Sequence, residues 1–423
     1  MKRIIIKNVL LDGEEKNILI EGNIIKKISC CETVCDDTAT KGAKIIEAKG
    51  KAVIPGLINM HTHSAMTLMR GIYEDAKLNE WLSYIWKVEP RLDEEMIYWG
   101  TRLACLEMLK SGTTTFNDQY WMTDTAVKAI AEMGLRSMNS YVFLDMNDTS
   151  KDEYLKEECL KVYEKSASWS GLNKFTVAVH APYSVSESLM LWANDFAVKN
   201  NLLLHIHLSE TAKEQEDSFR LHKLSPTGYL ESLGMLSPKV LAAHCVWMSE
   251  KDIELLALHD VKIVHNINSN LKLASGYKFK YKEFKDAGLT VTLGTDGCAS
   301  SNNLDMLEAM KTAALVQKAW REDPTVMPLN ELMDMATVNG AKALDLDCGS
   351  IEEGKLADMV LIDIDNYAFT PNYNFLANLI YSANSSCVDT VICNGDIVME
   401  NRHVNGEEEI LENVRRIYGR LNI

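Results

Sequence analysis

Two histidines separated by one residue, His61 and His63, close the apolar run Val53-Ile54-Pro55-Gly56-Leu57-Ile58-Asn59-Met60. In a strand, residues i and i+2 project to the same face, so this pair can offer two imidazoles to one cation. Further residues of metal-ligand or acid-base type end later apolar runs: His180, then His207 and Glu210 in Leu202-Leu203-Leu204-His205-Ile206-His207-Leu208-Ser209-Glu210, then His244, then Asp296 in Leu293-Gly294-Thr295-Asp296-Gly297. Each alone reads as a hydrogen-bonded core histidine or a capping aspartate. Together, neutral imidazoles with one carboxylate are what a zinc-class or ferrous cation needs, and an open position leaves room for water. The expected ligand set is His61, His63, His207 and Asp296. His205 has the parity of His207 but lies one level deeper, so it is expected to pack in the interior.

Residues so far apart in sequence meet only if the runs that carry them are strands of one parallel sheet. Strands are expected over 52–59, 113–118, 135–143, 175–180, 202–207, 240–244, 262–266 and 291–295, separated by helix-length segments rich in Leu, Ala, Glu and Lys. Eight βα units in roughly 300 residues fit an α/β fold of the (β/α)8 TIM-barrel type, whose active site lies at the C-terminal ends of the strands. A doubly wound open sheet is the fallback. Short strands over 4–11, 17–21, 24–29 and 43–48, and again over 357–363 and 388–398, are separated by turns such as Asp12-Gly13. Residues 1–54 and 357–423 are therefore expected to pair into one small β-sandwich domain, with the barrel over 55–356.

The 423 residues, 47% apolar and 25% charged, describe an ordinary globular protein able to bury a large core. A net charge of −16 opposes a phosphate backbone or an anionic membrane, so neither nucleic acid nor membrane is an expected partner. The run Met1 to Asn8 is too short for a signal peptide, and no stretch is long enough to span a bilayer, which predicts a cytoplasmic protein. The ten cysteines are expected to be reduced thiols; Cys30, Cys31 and Cys35 lack the second pair that a structural zinc site needs.

Pro55 to His63, His207-Leu208-Ser209-Glu210, Ala243-His244-Cys245, His265-Asn266-Ile267-Asn268-Ser269-Asn270-Leu271-Lys272-Leu273 and Gly294-Thr295-Asp296-Gly297 together resemble the amidohydrolase superfamily, and within it the 5-methylthioadenosine/S-adenosylhomocysteine deaminases. The resemblance extends through Gly354-Lys355-Leu356-Ala357-Asp358-Met359-Val360. It implies hydrolytic deamination of an adenosine-type nucleoside: water adds to the amine-bearing ring carbon and ammonia leaves. One divalent cation is implied, zinc first and iron second, because the fourth strand ends in His180 and offers no lysine to bridge a second metal. Glu210 would carry a proton to the ring nitrogen, Asp296 would take one from water, and His244 would hold the developing charge. By the same likeness Trp81 would pack on the nucleoside, Glu89 would accept the ribose hydroxyls, and His180 would bond the purine, with Glu210 and Asp296 also touching substrate.

One departure bears on specificity. Relatives that bind a homocysteine carboxylate carry arginines after the third strand, a geometry suited to bidentate pairing. Here the corresponding position reads as Tyr141, with Lys151 following. A methylthio, deoxy or unsubstituted 5′ position is accordingly expected to be preferred over S-adenosylhomocysteine. The alternative activity is deamination of another aminated heterocycle, such as guanine, a pterin or cytosine. A non-catalytic relative would show eroded metal positions, and these are intact. A homo-oligomer is compatible with the sequence.

Overall fold

The computed structural model describes residues 2–30 and 42–421. Eight strands, Leu57–Thr62, Thr113–Gln119, Arg136–Phe143, Asn173–Val179, Leu204–Leu208, Val240–His244, Lys262–His265 and Val291–Leu293, form one sheet in sequence order, each parallel to the next. They are referred to below as strands one to eight. Crossover helices such as Glu94–Lys110, Thr123–Met133 and Glu187–Lys199 cover the outside. Their starts are set locally: Asp93 accepts from Met96 N at 2.9 Å, and Ser249 and Asp252 form a reciprocal capping box on the helix Glu250–Leu258.

The barrel closes through side chains as much as through backbone. Asp296 N donates to His61 O at 2.9 Å, joining the exit of strand eight to strand one. Beside it, Asn59 accepts from Thr295 N at 3.0 Å and donates to Thr295 Oγ1 at 2.7 Å. The result is the TIM barrel expected from the sequence.

The run 52–59, read as one strand, is two. Lys51–Pro55 belongs to a second sheet and Leu57–Thr62 to the barrel, with the chain crossing between them at Gly56. The crossing is tight: a Cβ at Gly56 would sit 2.2 Å from Thr114 Oγ1 and 2.5 Å from its Cγ2. Only glycine lets strand one leave the second sheet this close to strand two.

Among the described residues, that second sheet has eight strands. From one edge it runs Asp396–Met399, Val388–Cys393, Met359–Asp363, Lys51–Pro55, Arg3–Leu11, Glu14–Glu21 and Ile24–Cys30, with Lys44–Glu47 also paired to Arg3–Leu11. Both chain ends thus supply strands, as the sequence predicts, and they meet where Lys51–Pro55 pairs antiparallel with Met359–Asp363. Ile4, Ile6, Ile18, Ile20, Ile25, Val53, Met359 and Leu361 form its core, a set rich in the β-branched residues that favour a pleated surface. The C-terminal helix Glu407–Ile417 leaves this sheet and lies on the barrel helix Glu94–Lys110, tied by Lys110 to Glu407 at 2.7 Å.

No described helix is long and apolar enough to cross a membrane. All cysteines among the described residues are free thiols; Cys31 and Cys35 lie outside the described residues.

Gly56→Ala should destabilise the fold by about 1–3 kcal/mol, the usual cost of forcing a methyl group into a packed site. Urea denaturation of Gly56→Ala and of Gly56→Ala/Thr114→Ala checks this. The double variant should recover part of the loss, and an unaffected single variant would refute the close-approach argument.

Candidate active site

All the residues singled out at the strand ends meet at one mouth. His63, Trp81, Glu89, His180, His207, Glu210, His244 and Asp296 line one chamber, and His61 lies buried beneath it. Two groups of donor atoms, one from His61, His63 and Asp296 and one from His61, His207 and His244, each lie within 4.8 Å of one another. His63 Nε2 is 3.1 Å and His61 Nε2 3.5 Å from Asp296 Oδ1, and His207 Nε2 is 3.4 Å from His63 Nε2.

Hydrogen bonds to the other ring nitrogen decide what each imidazole offers. His63 Nδ1 donates to Gln119 O at 2.7 Å and His207 Nδ1 to His180 O at 2.6 Å. A carbonyl can only accept, so both rings carry a proton at Nδ1, which leaves Nε2 as the atom that can turn a lone pair to a metal. His244 is the reverse. The Asn270 amide nitrogen, also bonded to Ser275 Oγ, donates to His244 Nδ1 at 2.9 Å. His244 therefore turns an N–H toward the chamber, 3.8 Å from Glu210 Oε2. That suits holding an oxygen better than binding a cation.

His61 stands between these cases. Its Nδ1 is 2.9 Å from His205 Nε2, while Asn117, anchored on Met60 O, donates to His205 Nδ1 at 3.0 Å. His205 is thus a deep interior residue, as expected, and it also orients His61. In this arrangement His61 holds its proton at Nε2. A cation bound there requires the proton on Nδ1, with the hydrogen bonds through His205 and Asn117 reversed. His61 Nε2 has no hydrogen-bond partner among the described residues.

The electrostatics also favour a cation. Burial would raise the Asp296 carboxyl, but the imidazoles of His61 and His63, 3.5 and 3.1 Å away, hold it well below the usual carboxylate range. Burial would lower His63, yet Asp296 beside it lifts the ring to about 9, so without a cation Nε2 holds a second proton toward the carboxylate, the proton that metal binding displaces. A buried carboxylate with convergent imidazoles draws positive charge into the site, and imidazole nitrogen with carboxylate oxygen is a donor set for a zinc-class ion. The residues fit a divalent cation.

Several side chains are aimed by unusual backbone. In parallel register His207 faces the lumen beside Ala243, while Leu208 and His244 fall on the outer face. His244 reaches the chamber because its φ is +73°, and Ser209, Cys245 and Asp296 are also left-handed, at +51°, +49° and +64°. These conformations are sparsely populated and cluster at this mouth. Gly294 packs where a Cβ would come 2.5 Å from Asn266 Oδ1 and 2.9 Å from His61 N, so it lets strand eight approach the ligand pair.

Buried carboxylates that the sequence reading did not single out hold the turns. Asp118 accepts from Thr62 Oγ1 at 2.8 Å, Ser64 N at 2.8 Å and Ser64 Oγ at 2.7 Å, gripping both neighbours of His63. Glu214 accepts from Ser209 N and Glu210 N, each at 2.8 Å, and so fixes the turn that carries Glu210. The available signal for Asp118 was its place at the end of strand two; for Glu214, the four-residue spacing from Glu210.

Burial pushes Glu210 up to about 8, with Asp296 adding to the effect and Ser275 opposing it. At neutral pH this favours the protonated acid. Burial likewise lifts Glu89 to about 7, eased by His63, Trp121 and Tyr120, and lowers His180 to about 3, leaving that ring neutral. His180 Nδ1 is 2.7 Å from Ser184 Oγ. Trp81 is 5% exposed with Nε1 unpaired among the described residues.

The third-strand expectation is corrected. Tyr141 and Phe143 point away from the mouth, their rings 5.1 Å apart and packed with the main core, and Val142 lines the chamber instead. Alternation along the strand is the reason. Lys151 lines a second cavity of about 530 Å³, shared with Trp86, Glu89 and Trp121 and otherwise apolar, with Leu92, Ile97, Leu144 and Met146.

A TIM barrel with imidazole and carboxylate donors at its C-terminal mouth has the architecture of a metal-dependent hydrolase. Residues 52–398 match the model of the amidohydrolase family, and the chain belongs to that family. A 5′-deoxyadenosine deaminase of Methanocaldococcus jannaschii is 42% identical over 424 residues, 98% of this chain and 99% of its own length. A 5-methylthioadenosine/S-adenosylhomocysteine deaminase of Thermococcus sibiricus is 43% identical over 385 residues, 90% of this chain and 89% of its own. The crystal structure of an adenosine deaminase from Xanthomonas campestris with bound Zn superposes with a TM-score of 0.91 at 30% identity, covering 99% of this chain and 98% of that one.

Asp118→Ala should lower stability by about 1–3 kcal/mol, because it strands the buried Ser64 N–H without an acceptor. Urea denaturation of the metal-free protein measures this. A variant as stable as the wild type would show that the grip on the His63 turn is dispensable.

Proposed function

We propose that the protein hydrolytically deaminates an adenosine-type nucleoside, such as 5′-methylthioadenosine, 5′-deoxyadenosine, adenosine or S-adenosylhomocysteine, to the inosine analogue and ammonia, in the cytoplasm. The observation that carries this reading is Glu210, a carboxyl kept neutral by burial in the same chamber as the metal donors, with His244 Nε2 3.8 Å away. A ring nitrogen must gain a proton as its neighbouring carbon is attacked, and a neutral carboxylic acid in reach can supply it. The relatives at 42% and 43% identity are deaminases of such nucleosides, which supports the same assignment.

His61, His63, His207 and Asp296 would hold the metal, which we take to be zinc. When bound, a divalent cation acidifies a coordinated water toward a pKa of about 7. Asp296 Oδ2, which accepts from Ser269 Oγ at 2.6 Å, is placed to take the proton of the attacking water and pass it to the departing amine. His244 donates its Nε2–H to the attacking oxygen and steadies the charge that develops there. Glu210 protonates the ring. Trp81 packs on the nucleoside, Glu89 accepts sugar hydroxyls, and neutral His180 bonds the purine edge.

Ammonia release from adenosine derivatives, guanine, a pterin and cytosine, with metal analysis of the same preparation, tests the reading. Turnover of a base without a sugar and not of nucleosides would overturn it. In that assay His61→Ala and Asp296→Ala should lose metal and activity together. Glu210→Gln should keep metal and substrate affinity while kcat falls by about 10² to 10⁴. A near-normal kcat would remove Glu210 from the chemistry.

The apolar second cavity bears on the 5′ substituent. A homocysteine carboxylate would meet Lys151, whose Nζ already lies 3.5 Å from Asp148 Oδ2 in solvent, and among the described residues no arginine lines that cavity. A missing charged hydrogen bond is worth about 1.5–3 kcal/mol, roughly one to two powers of ten in kcat/KM. 5′-Methylthioadenosine, 5′-deoxyadenosine or adenosine should therefore be turned over better than S-adenosylhomocysteine, and Lys151→Ala should penalise only the last. If S-adenosylhomocysteine is the best wild-type substrate, the apolar-tail argument is wrong.

A further inference from the structure

Strand two ends Asn117-Asp118-Gln119, and alternation puts Asn117 and Gln119 on the lumen face. Asn117 is the deeper, bonded to Met60 O and His205. Gln119 is one level higher, in the wall of the chamber with His63, Trp81 and Glu89. It is 2% exposed, and neither side-chain atom, Oε1 nor Nε2, has a hydrogen-bond partner among the described residues. Its backbone carbonyl is already committed to His63 Nδ1. A buried amide with both ends unpaired is unfavourable unless something that enters the chamber pairs with it.

The neighbouring groups indicate what that is. Glu89, when ionised, only accepts. A vicinal diol that donates both hydroxyl protons to such a carboxylate still presents oxygen lone pairs, which call for an N–H. Gln119 Nε2 supplies that donor in the same chamber, and Oε1 can accept in turn. We propose that Gln119 is a sugar-specificity residue, its amide hydrogen-bonding the 2′,3′-diol of the nucleoside alongside Glu89. This rests on the adenosine-type reading given above.

The test is a cycle between side chain and substrate hydroxyl. Metal-loaded wild type, Gln119→Leu and Gln119→Met are compared on adenosine, 2′-deoxyadenosine, 3′-deoxyadenosine and 5′-deoxyadenosine, with metal content and Tm recorded for each. Gln119→Leu and Gln119→Met should lower kcat/KM for adenosine and 5′-deoxyadenosine roughly three- to tenfold, mostly through KM. The loss should shrink to less than about twofold for the 2′- or 3′-deoxy analogue that lacks the paired hydroxyl. Equilibrium binding of the same four compounds to Glu210→Gln, with and without the Gln119 change, should give the same pattern. Equal losses on all four substrates, or no loss on any, would overturn the Gln119 assignment while leaving deamination intact. A wild type that deaminates none of the four would overturn the nucleoside reading and this proposal together.

Discussion

The site depends on one join, where the exit of strand eight is fastened to strand one. Asp296 N on His61 O, with Asn59 bonded twice to Thr295, closes the barrel and in the same step sets the carboxylate of Asp296 against His61 and His63. A buried carboxylate is costly unless it is paired and hydrogen-bonded. Asp296 satisfies that condition only in this position, accepting also from Ser269 Oγ and Gly297 N. Closure of the fold and assembly of the ligand set are therefore one event. A slip of strand eight by one residue would turn the carboxylate away from the imidazoles.

The remaining functional groups are aimed by loops that leave strands five and six in left-handed backbone, at Ser209, His244 and Cys245. Such residues cost about 1–3 kcal/mol each and persist where their surroundings over-determine them. Here the surroundings are visible: Glu214 takes both N–H groups of the Ser209–Glu210 turn, and Val246 N and Trp247 N both return to Ser209 O. Asp118 does the corresponding work around His63. Buried carboxylates satisfy backbone donors that the turns at the mouth leave open.

The sequence made the strand ends legible because apolar runs bounded by polar residues have a clear period, and because seven residues of metal-ligand or acid-base type end such runs. It also showed that the two termini share a sheet. What it obscured are matters of tertiary contact. Gly56 divides one apolar run between two sheets, and only the approach of Thr114 reveals it. The arginine-equivalent position reads as Tyr141 from the sequence, but alternation turns Tyr141 outward with Phe143 and leaves Val142 in the chamber wall. His244 breaks alternation through its own φ, which no periodicity could indicate. Gln119 shares parity with Asn117 and was legible in principle, but an amide carries no motif and becomes conspicuous only when both of its ends are seen unpaired.

Two carboxyl groups in one buried chamber end in opposite states, and the difference lies in their partners rather than their burial. Burial alone would neutralise both. Asp296 faces two imidazoles at 3.1 and 3.5 Å and accepts from Ser269 and Gly297, so its charged form wins. Glu210 has His244 only at 3.8 Å and one oxygen with no partner among the described residues, and the nearby negative charge of Asp296 pushes it further toward the acid. Environments that drive two titratable groups apart in this way divide the labour of proton transfer, one group ready to accept and the other ready to give. The proposed deamination uses both: a base for the water and an acid for the ring. Strands five and eight carry these groups on left-handed exits, at Ser209 just before Glu210 and at Asp296 itself.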